Sequence, residues 1–484
     1  MALYYVMMKI LKPCFWLLLT VLTLVSCADD DSFSLSQASR LTFSTDTLKL
    51  DTVFSNVPGA MRSMWVYNYS GDGIRCKSVR LARGSRSGFR VNIDGIYLSD
   101  RMNYTTTEVS LRNRDSLRVM VELTAPLNSQ TGPQADDDEL IFTLESGVEQ
   151  KVALRAWSWD AMLLRNVRVS HDSLISLSSK PLVIYGGITV DSAATLTIAA
   201  GTTLYFHADA GLNVHGRLLC QGTSAQNITL RGDRIDRMFG YLPYDRVPAQ
   251  WEGLRFYTSS YGNELNYTDV HSTQDGIVVD SSDVSRLKLT MANSTIHNCQ
   301  GYGLKADNAQ LKLTNTLITN TLNDCLHLNG GRAIVNNCTL AQFYPFDSNR
   351  GAAIAFTARY PLLSLDVRNT IITGYADDQL MGTPGDTAIP FNYSFDHCVI
   401  RTPKVATADS IHFTNVLYEN VKDTVSMGQK HFVKIDSNNQ YYDFRLSDKS
   451  AAIDKADPLT SASADRSGLP RDNKPDIGAF EYRP

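Results

Sequence analysis

The sequence predicts an all-β chain in which a β-sandwich is followed by a parallel β-helix. Short runs of alternating apolar and polar residues fill the chain up to about residue 160, and a repeated motif follows them without helical periodicity between its copies. With 484 residues, 43% of them hydrophobic, the chain can bury a sizeable core.

The first folded region is predicted as a β-sandwich over residues 41–160. Its apolar and polar residues alternate with a period of two, and Gly, Asn, Asp and Pro turns separate the runs. Residues 125–139 are predicted as one long polar loop, and its acidic run Asp136, Asp137 and Asp138 is expected to be solvated, with Ca²⁺ binding as the alternative. The predicted strands are residues 48–54, 64–67, 116–123, 140–144 and 151–154.

The repeat occupies the second region, predicted as a β-helix over residues 161–440. Its motif ends on an aliphatic residue at positions 270, 296, 318, 340, 372 and 400. In a parallel β-helix each coil returns about 4.8 Å higher, so that equivalent residues stack. The stacking predicts a ladder of amides at Asn293, Asn315, Asn337 and Asn369. It also predicts an inward column of small side chains at Thr268, Ser294, Thr316, Cys338, Thr370 and Cys398.

Composition excludes several other classes of protein. The 46 Lys and Arg against 50 Asp and Glu give a net charge of −4, which argues against nucleic acid as a partner. Six cysteines follow residue 27, and their spacing matches neither a zinc motif nor a compact disulfide framework. They are expected to be small buried thiols.

Residues 1–27 are predicted as a signal segment. Lys9 and Lys12 precede an apolar stretch that is too short to span a membrane and that ends at residues 24–27, Leu-Val-Ser-Cys. This ending resembles the lipobox of bacterial lipoproteins, which implies lipidation of Cys27 and anchoring in the outer membrane. An ordinary secretory signal is the alternative. Residues 28–40 are then a tether, and its acidic residues 29–31 resemble an export tag for the cell surface.

Nearly the whole mature chain resembles right-handed parallel β-helix surface lipoproteins of Bacteroidota. The resemblance rests on the coils from Leu182 onward and on the C-terminal residues 475–481, Pro-Asp-Ile-Gly-Ala-Phe-Glu. It implies a right-handed β-helix and a cell-surface location, and it assigns no activity. Residues 441–484 are predicted as a C-terminal cap segment that closes the last coil, because an open strand edge needs cover.

A ligand groove is predicted along one sheet of the β-helix. Aligned coils place Asp275, Tyr302, Asp324, Arg350 and Asp378 in one outward column, with Asp377 beside it. Lys305 and His327 are expected to point outward from successive coils. Carboxylates with Arg, Lys and His could bind a sugar chain or Ca²⁺, or serve as acid and base, whereas Asp residues that stabilise turns are the alternative.

These residues predict a non-catalytic surface lipoprotein that binds glycans or another surface component. A polysaccharide lyase or glycoside hydrolase acting in the same groove is the second hypothesis, and a structural or adhesion subunit is the third. No catalytic residue is assigned, because the Gly-His-Gly signature of polygalacturonase-like β-helices is missing. No metal ligands are assigned and no cofactor is expected, apart from Ca²⁺ as a possibility. The expected partners are the outer membrane and a polysaccharide or surface protein.

Overall fold

The computed structural model describes residues 32–107 and 109–484. The predicted lipidation site Cys27 and the rest of the signal segment lie outside the described residues. Within them the chain forms 41 strands and five short 3-10 helices, so the predicted all-β class is confirmed. None of the described helices is long and apolar enough to cross a membrane. The chain divides into two compact units.

The first unit contains the described residues up to Leu50, Met61–Ala125 and Ala135–Ala156. Its strands form two antiparallel sheets, in the orders β1-β3-β9-β5-β6 and β2-β11-β10-β4-β7, with β8 paired to β4. The Phe43 and Phe142 rings, one from each sheet, lie 5.2 Å apart, which makes this unit the predicted sandwich. The strands of these sheets are β1 (Leu41–Phe43), β2 (Thr47–Phe54), β3 (Arg62–Asn68), β4 (Ile74–Leu81), β5 (Phe89–Ile93), β6 (Ile96–Tyr97), β7 (Thr105–Thr106), β8 (Val109–Leu111), β9 (Ser116–Leu123), β10 (Gln134–Leu144) and β11 (Glu149–Trp159), with 3-10 helices at Gly84–Arg86 and Asp100–Met102.

The predicted polar loop is shorter than expected, because β10 already begins at Gln134. Asp136 and Asp138 are buried, on alternate positions of that strand. The Arg83 guanidinium lies 2.8 Å from Asp136, and the Arg83 N–H donates to Asp138. The acidic run is therefore part of a strand, and the expectation of a solvated run was wrong for Asp136 and Asp138, whereas Asp137 is exposed.

The second unit contains Asp51–Ala60, Pro126–Gln134 and Trp157–Pro484. From Met162 to Tyr418 it is one continuous winding of parallel strands, which is a β-helix. Its strands are β12 (Met162–Val169), β13 (Ser173–Ile175), β14 (Leu182–Val190), β15 (Thr195–Ala199), β16 (Thr203–Phe206), β17 (Gly211–Val214), β18 (Arg217–Gln221), β19 (Ile228–Gly232), β20 (Arg237–Phe239), β21 (Leu242–Pro243), β22 (Gly253–Phe256), β23 (Asn263–Asn266), β24 (Thr268–His271), β25 (Ile277–Val279), β26 (Leu287–Ala292), β27 (Thr295–Cys299), β28 (Leu304–Asp307), β29 (Gln310–Thr314), β30 (Leu317–Thr321), β31 (Leu326–Asn336), β32 (Thr339–Gln342), β33 (Ile354–Arg368), β34 (Ile371–Gly374), β35 (Leu380–Thr383), β36 (Phe391–Asp396), β37 (Val399–Ile400), β38 (Phe413–Thr414), β39 (Leu417–Tyr418), β40 (Phe432–Asp436) and β41 (Tyr441–Leu446), with 3-10 helices at Tyr244–Arg246, Ala408–His412 and Gln429–His431.

Each coil contributes to three faces, here named A, B and C. Face A contains β17, β22, β25, β28, the first parts of β31 and β33, and β35. Face B contains β15, β18, β23, β26, β29, the later parts of β31 and β33, and β36. Face C contains β16, β19, β24, β27, β30, β32, β34 and β37. The β20-β21 hairpin is a local excursion from the winding.

The predicted alignment of the repeat is confirmed on face C. Val270 pairs with Ile296, Ile296 with Ile318, and the series continues through Leu340 and Ile372 to Ile400. All these aliphatic side chains are buried in the core that runs the length of the winding. The aliphatic end of the motif is therefore the inward position of face C.

The bend from face B to face C explains the asparagines of the motif. At this bend Asn293, Asn315, Asn337 and Asn369 all have φ between 47° and 51°. Left-handed backbone costs most L residues roughly 1–2 kcal/mol, and Asn tolerates it better than other residues with a Cβ. Asparagine recurs here because every coil must turn the same corner.

The residue after each bend points inward, and its side chain is small. The six predicted positions are all fully buried. Their hydroxyl or thiol groups donate to the carbonyl two residues earlier: Ser294 to Ala292, Thr316 to Thr314, and Cys338 to Asn336 are examples. Serine, threonine and cysteine interchange at this position because each offers one short donor. Cys338 is one of six buried free thiols in the described chain, as expected.

The predicted amide ladder is only partly continuous. Asn315 donates to Asn293, and Asn293 donates to Asn266, one position before the bend of the coil below. Asn337 breaks the series, because its side-chain oxygen accepts the N–H of Ala462 from the C-terminal segment. Asn369 donates to Asn336.

The C-terminal segment, defined here as residues 429–484, lies along face C and does not simply close the last coil. Its chain runs back down the winding: Asp457 N–H donates to Asn369, Ala462 N–H to Asn337, and the Ala464 carbonyl accepts from Asn315. The physical reason is that outward positions of the middle coils are apolar and need cover. Those outward residues share a hydrophobic core with the C-terminal segment. The core contains Leu317, Ala341, Ile371 and Val399 from the coils and Phe432, Phe444, Leu446 and Ile477 from the segment. The parallel winding also ends at Tyr418, before the predicted boundary at residue 440.

The Asp-Ile-Gly-Ala-Phe-Glu motif holds the C-terminal segment against the winding. Glu481 and Arg471 form an ion pair of 2.9 Å with both side chains almost fully buried. The same guanidinium donates to the Asn315 side chain and to the Gly478 carbonyl. Gly478 has φ 109°, and a Cβ there would lie 2.8 Å from Ile371, so this position requires glycine. The motif therefore has a structural role.

Breaking the buried ion pair should destabilise the second unit strongly. Replacing one partner leaves the other charge buried without compensation, which costs about 3–5 kcal/mol. Glu481→Gln and Arg471→Ala should each lower the thermal unfolding midpoint. Arg445→Ala, which removes an exposed pair with Asp443, should change it by the equivalent of about 1 kcal/mol or less. Equal shifts of the unfolding midpoint for the buried pair and the exposed pair would contradict the stabilising role given to Glu481 and Arg471.

The bend can be tested at Asn293, whose φ is 51°. Asn293→Ala should destabilise the chain by about 1–2 kcal/mol of backbone strain, in addition to the lost amide hydrogen bonds. Asn293→Gly loses the same hydrogen bonds and retains access to the left-handed backbone. The alanine variant should therefore unfold at a lower temperature than the glycine variant, and the reverse order would refute the backbone explanation.

Candidate functional site

Face A carries most of the residues that the sequence analysis selected. Gly276 N–H donates to the Tyr302 carbonyl and Gly303 N–H to the Asp324 carbonyl, which places Asp275, Tyr302 and Asp324 level on three successive coils. Lys305 and His327 pair in register between β28 and β31. The predicted juxtaposition of these five residues is present in the structure.

Four of these residues contact one another and form what we call the face A cluster: Tyr302, Lys305, Asp324 and His327. Asp324 Oδ2 lies 2.8 Å from His327 Nδ1. The Tyr302 and His327 rings are 5.0 Å apart, and the Lys305 ammonium lies 5.3 Å from the centre of the Tyr302 ring. All four residues are half-buried, so they are held in place while remaining reachable from solvent.

The electrostatic environment keeps the Tyr302 phenol protonated. Burial raises the pKa of Tyr302, and the carboxylates of Asp324 and Asp275 raise that pKa further. The cluster therefore offers a neutral phenol, an ammonium and a carboxylate-bonded imidazole side by side. That set can donate and accept hydrogen bonds and can present an aromatic surface to a ligand.

The aspartates of the column also support the stacking of coils. Asp275 Oδ1 accepts the Tyr302 N–H and Asp324 Oδ1 accepts the Ala352 N–H, each at 2.8 Å. Asp378 accepts the Thr402 hydroxyl at 2.8 Å and the Leu380 N–H at 3.2 Å. The turn-stabilising role considered for these residues is therefore present in all three.

The structure separates Arg350 from the predicted column. Cys325 N–H donates to the Ala352 carbonyl, so Ala352 is the residue level with Asp324. Arg350 lies two residues earlier on the irregular connection between β32 and β33, and its guanidinium lies 4.8 Å from the centre of the Tyr375 ring. The alignment failed because this connection has no counterpart in the neighbouring coils. Asp377 is exposed just before β35.

A second polar cluster, on face C, was missed by the sequence analysis. We call Asp245, Asp269, His271 and His297 the face C cluster. Asp269 Oδ1 lies 2.9 Å from His271 Nδ1 and 3.2 Å from His297 Nε2. His271 Nε2 lies 2.9 Å from Asp245 Oδ1, and the two imidazole rings stack at 4.5 Å. The atoms of Asp269, His271 and His297 lie close enough together to hold one metal ion.

Charge interactions shape this second cluster. Burial opposes ionisation of Asp269, but His297 and His271 hold the pKa of that carboxyl well below its usual range. Burial would lower the pKa of His271, yet Asp269 and Asp245 raise it. Burial, with the charge of His271, lowers the pKa of His297 despite the presence of Asp269. The pKa of His271 is thus raised and the pKa of His297 is lowered, although the two rings are stacked neighbours.

Part of the face C cluster could have been predicted from the repeat in the sequence. Val270 and Ile296 are aligned by the motif, and therefore His271 and His297, one residue later, must also be level. Asp269 precedes His271 by two residues and so points to the same side of the strand. The repeat could not predict the position of Asp245, because this residue lies on the excursion between β19 and β22.

The fold places the chain among parallel β-helix proteins, and the family comparison agrees. A family model described as "Right handed beta helix region" matches residues 164–340. This match and the parallel winding confirm the predicted right-handed β-helix. Among curated proteins no match to the chain was found.

Three solved structures show a distant likeness to the chain. The catalytic domain of a GH87 alpha-1,3-glucanase in complex with nigerose is 11% identical, with 79% of this chain and 93% of that chain covered and a TM-score of 0.21. A family 123 glycoside hydrolase from Clostridium perfringens is 5% identical, with 28% and 30% covered and a TM-score of 0.19. The ASH / PapD-like domain 7 of human CEP192 is 11% identical, with 28% and 94% covered and a TM-score of 0.17. At these scores the likenesses carry no functional argument.

Proposed function

We propose that this chain is a bacterial outer-membrane surface lipoprotein whose β-helix binds glycans along face A. The observation that carries the glycan proposal is the face A cluster, in which Tyr302, Lys305 and His327 stand next to one another on two successive coils. Glycan recognition uses an aromatic surface together with a few oriented donors and acceptors. The face A cluster supplies both.

The polar surface extends along face A beyond this cluster. Arg255 pairs with Asp280 on the next coil at 3.1 Å, and its guanidinium lies 5.0 Å from the centre of the Tyr257 ring. Tyr257 stacks on His215 at 4.0 Å. Successive coils rise by about 4.8 Å, which is close to the length of one sugar unit in an extended polysaccharide. A chain of sugars running parallel to the axis could therefore meet Arg255, Lys305 and His327 in one column, in which the apolar Val278 lies between Arg255 and Lys305.

Face C suits this role less well. Face C is covered over several coils by the C-terminal segment, whose Arg466 and Ala479 bond to Thr295 and Thr339. Face A carries its polar residues half-exposed, as Tyr302, Lys305 and Asp307 illustrate. Over the coils that the C-terminal segment covers, a long polymer could therefore reach the polar residues of face A but not those of face C.

A glycoside hydrolase or polysaccharide lyase acting at the same cluster is the second candidate. The observation in its favour is the 2.8 Å hydrogen bond between Asp324 and His327, which forms a solvent-accessible acid–base pair. Against it, Asp275 and Asp324 each already accept a backbone N–H from the next coil. We therefore place binding first, and a purely structural or adhesion role is the remaining alternative.

Glycan binding is tested with the purified full chain and a panel of acidic and neutral polysaccharides, with and without Ca²⁺. Tyr302→Ala and Lys305→Ala should each weaken binding about tenfold, which corresponds to about 1.4 kcal/mol for one contact. Lys312→Ala is the matched control, since Lys312 is an exposed lysine on β29 of face B. Equal effects at Lys305 and Lys312, or no binding to any polysaccharide, would refute the proposal.

The same mixtures distinguish the enzyme from the binding module. Chromatography of the polymer shows whether it is shortened. Shortening that is lost in Asp324→Asn and His327→Ala would establish the hydrolase or lyase at this cluster. Polymer that keeps its length and elutes together with the protein would establish binding alone.

The lipid anchor is tested in cells. Cys27→Ser should release the protein from membranes and abolish its labelling by a radiolabelled fatty acid, because several acyl chains on one residue provide the anchor. Cys14→Ser, in the same predicted signal segment, is the control and should leave both properties unchanged. Membrane retention of a Cys27→Ser protein would contradict the lipoprotein assignment.

A further inference from the structure

We infer that Asp269, His271 and His297 bind a divalent transition metal ion of the Zn²⁺ type on face C. The inference is independent of glycan binding on face A. It depends on the side-chain geometry of the face C cluster and on the hydrogen bonds that surround the two histidines.

The three inner atoms converge on one point. Asp269 Oδ1 lies 2.9 Å from His271 Nδ1 and 3.2 Å from His297 Nε2, and each of the three residues offers one ligand atom within 4.8 Å of the others. Ligands held about 2.0–2.2 Å from a zinc ion stand roughly 3–4 Å apart in a tetrahedron, so small side-chain rotations suffice to close the site. Two imidazoles with one carboxylate are a donor set that suits Zn²⁺ and its neighbours better than Ca²⁺ or Mg²⁺.

The outer nitrogen of each ring has a partner that can only accept. His271 Nε2 faces Asp245 Oδ1 at 2.9 Å, and His297 Nδ1 faces Asn298 Oδ1 at 2.7 Å. The Asn298 orientation is fixed because its Nδ2 donates to the Arg246 carbonyl at 2.7 Å. Both outer nitrogens therefore carry the proton, and in neutral rings the inner nitrogens present lone pairs. This is the arrangement by which outer acceptors orient metal-ligating histidines.

Those two lone pairs face the same carboxylate oxygen. His271 Nδ1 lies 2.9 Å and His297 Nε2 lies 3.2 Å from Asp269 Oδ1, and the two rings stack 4.5 Å apart. A divalent cation between the three atoms satisfies all three lone pairs with both rings neutral.

Three arginines lie near the cluster, and the charge of Asp269 acts on one of them, Arg466. Arg231 lies 2.7 Å from Asp245 and Arg246 lies 4.0 Å from it. Arg466, from the C-terminal segment, donates to Thr295 at 2.8 Å. Asp269 Oδ1 thus faces the two rings, while Asp245 balances part of the arginine charge. Three protein ligands leave a fourth coordination position for water.

The test uses the full chain, solubilised in detergent, stripped with a chelator and titrated with Zn²⁺. We expect one equivalent to bind, and Co²⁺ in its place should give the intense visible absorption of a four-coordinate site. Asp269→Asn, which preserves the side-chain shape, and His271→Ala should abolish stoichiometric binding. Asp245→Asn should weaken it roughly 10- to 100-fold, as expected for a residue that orients a ligand.

His207→Ala is the matched control, because His207 forms a comparable 2.7 Å contact with Asp233 outside the cluster. This variant should bind Zn²⁺ as the native chain does. Unfolding temperatures measured for the stripped proteins identify any variant that fails to fold, and Asp269→Asn then decides the result. The inference is overturned if the native chain binds no equivalent of Zn²⁺ or Co²⁺, or if binding survives in a folded Asp269→Asn protein.

Discussion

The structure of the second unit depends on one constraint: every coil must turn from face B to face C at the same height as its neighbours. Between Asn293 and Asn369 the corner residue has a positive φ in each coil. The next residue points inward and returns a hydrogen bond to the carbonyl two positions earlier, as Ser294 and Cys338 do. If one corner failed, the aliphatic positions of face C would lose their register with the adjacent coils. The corner therefore keeps the buried core continuous.

The asparagines of the corner also connect the winding to its C-terminal segment. Asn315, Asn337 and Asn369 turn the chain with their backbone, and their side chains bond to the backbone of residues 457–464. Some of the side-chain amides that were predicted to bond to one another in a ladder therefore bond to the C-terminal segment. The consequence is a covered face C and an open face A. This division decides which polar residues a large ligand can reach.

Sequence reasoning predicted the site wherever the repeat is regular. Lys305 and His327 are level because β28 and β31 follow each other with an unbroken period. Arg350 was misplaced because the connection between β32 and β33 is irregular, so counting residues across it gave the wrong level. Asp245 was not found for the same reason. His271 and His297 could have been found, since they follow aligned aliphatic residues by one position.

The sequence by itself determined the all-β class, the repeat, the inward aliphatic and small residues, and the asparagine corner. These features are periodic because hydrogen bonding between successive coils imposes the same requirement at each level. The tertiary structure alone decided which outward face is covered, where the excursion carrying Asp245 lies, and that Arg350 lies outside the predicted column. Outward side chains obey no such period, because their environment is set by segments that pack from elsewhere in the chain. A repeat therefore predicts the winding, and the contacts on its surface follow only from the folded chain.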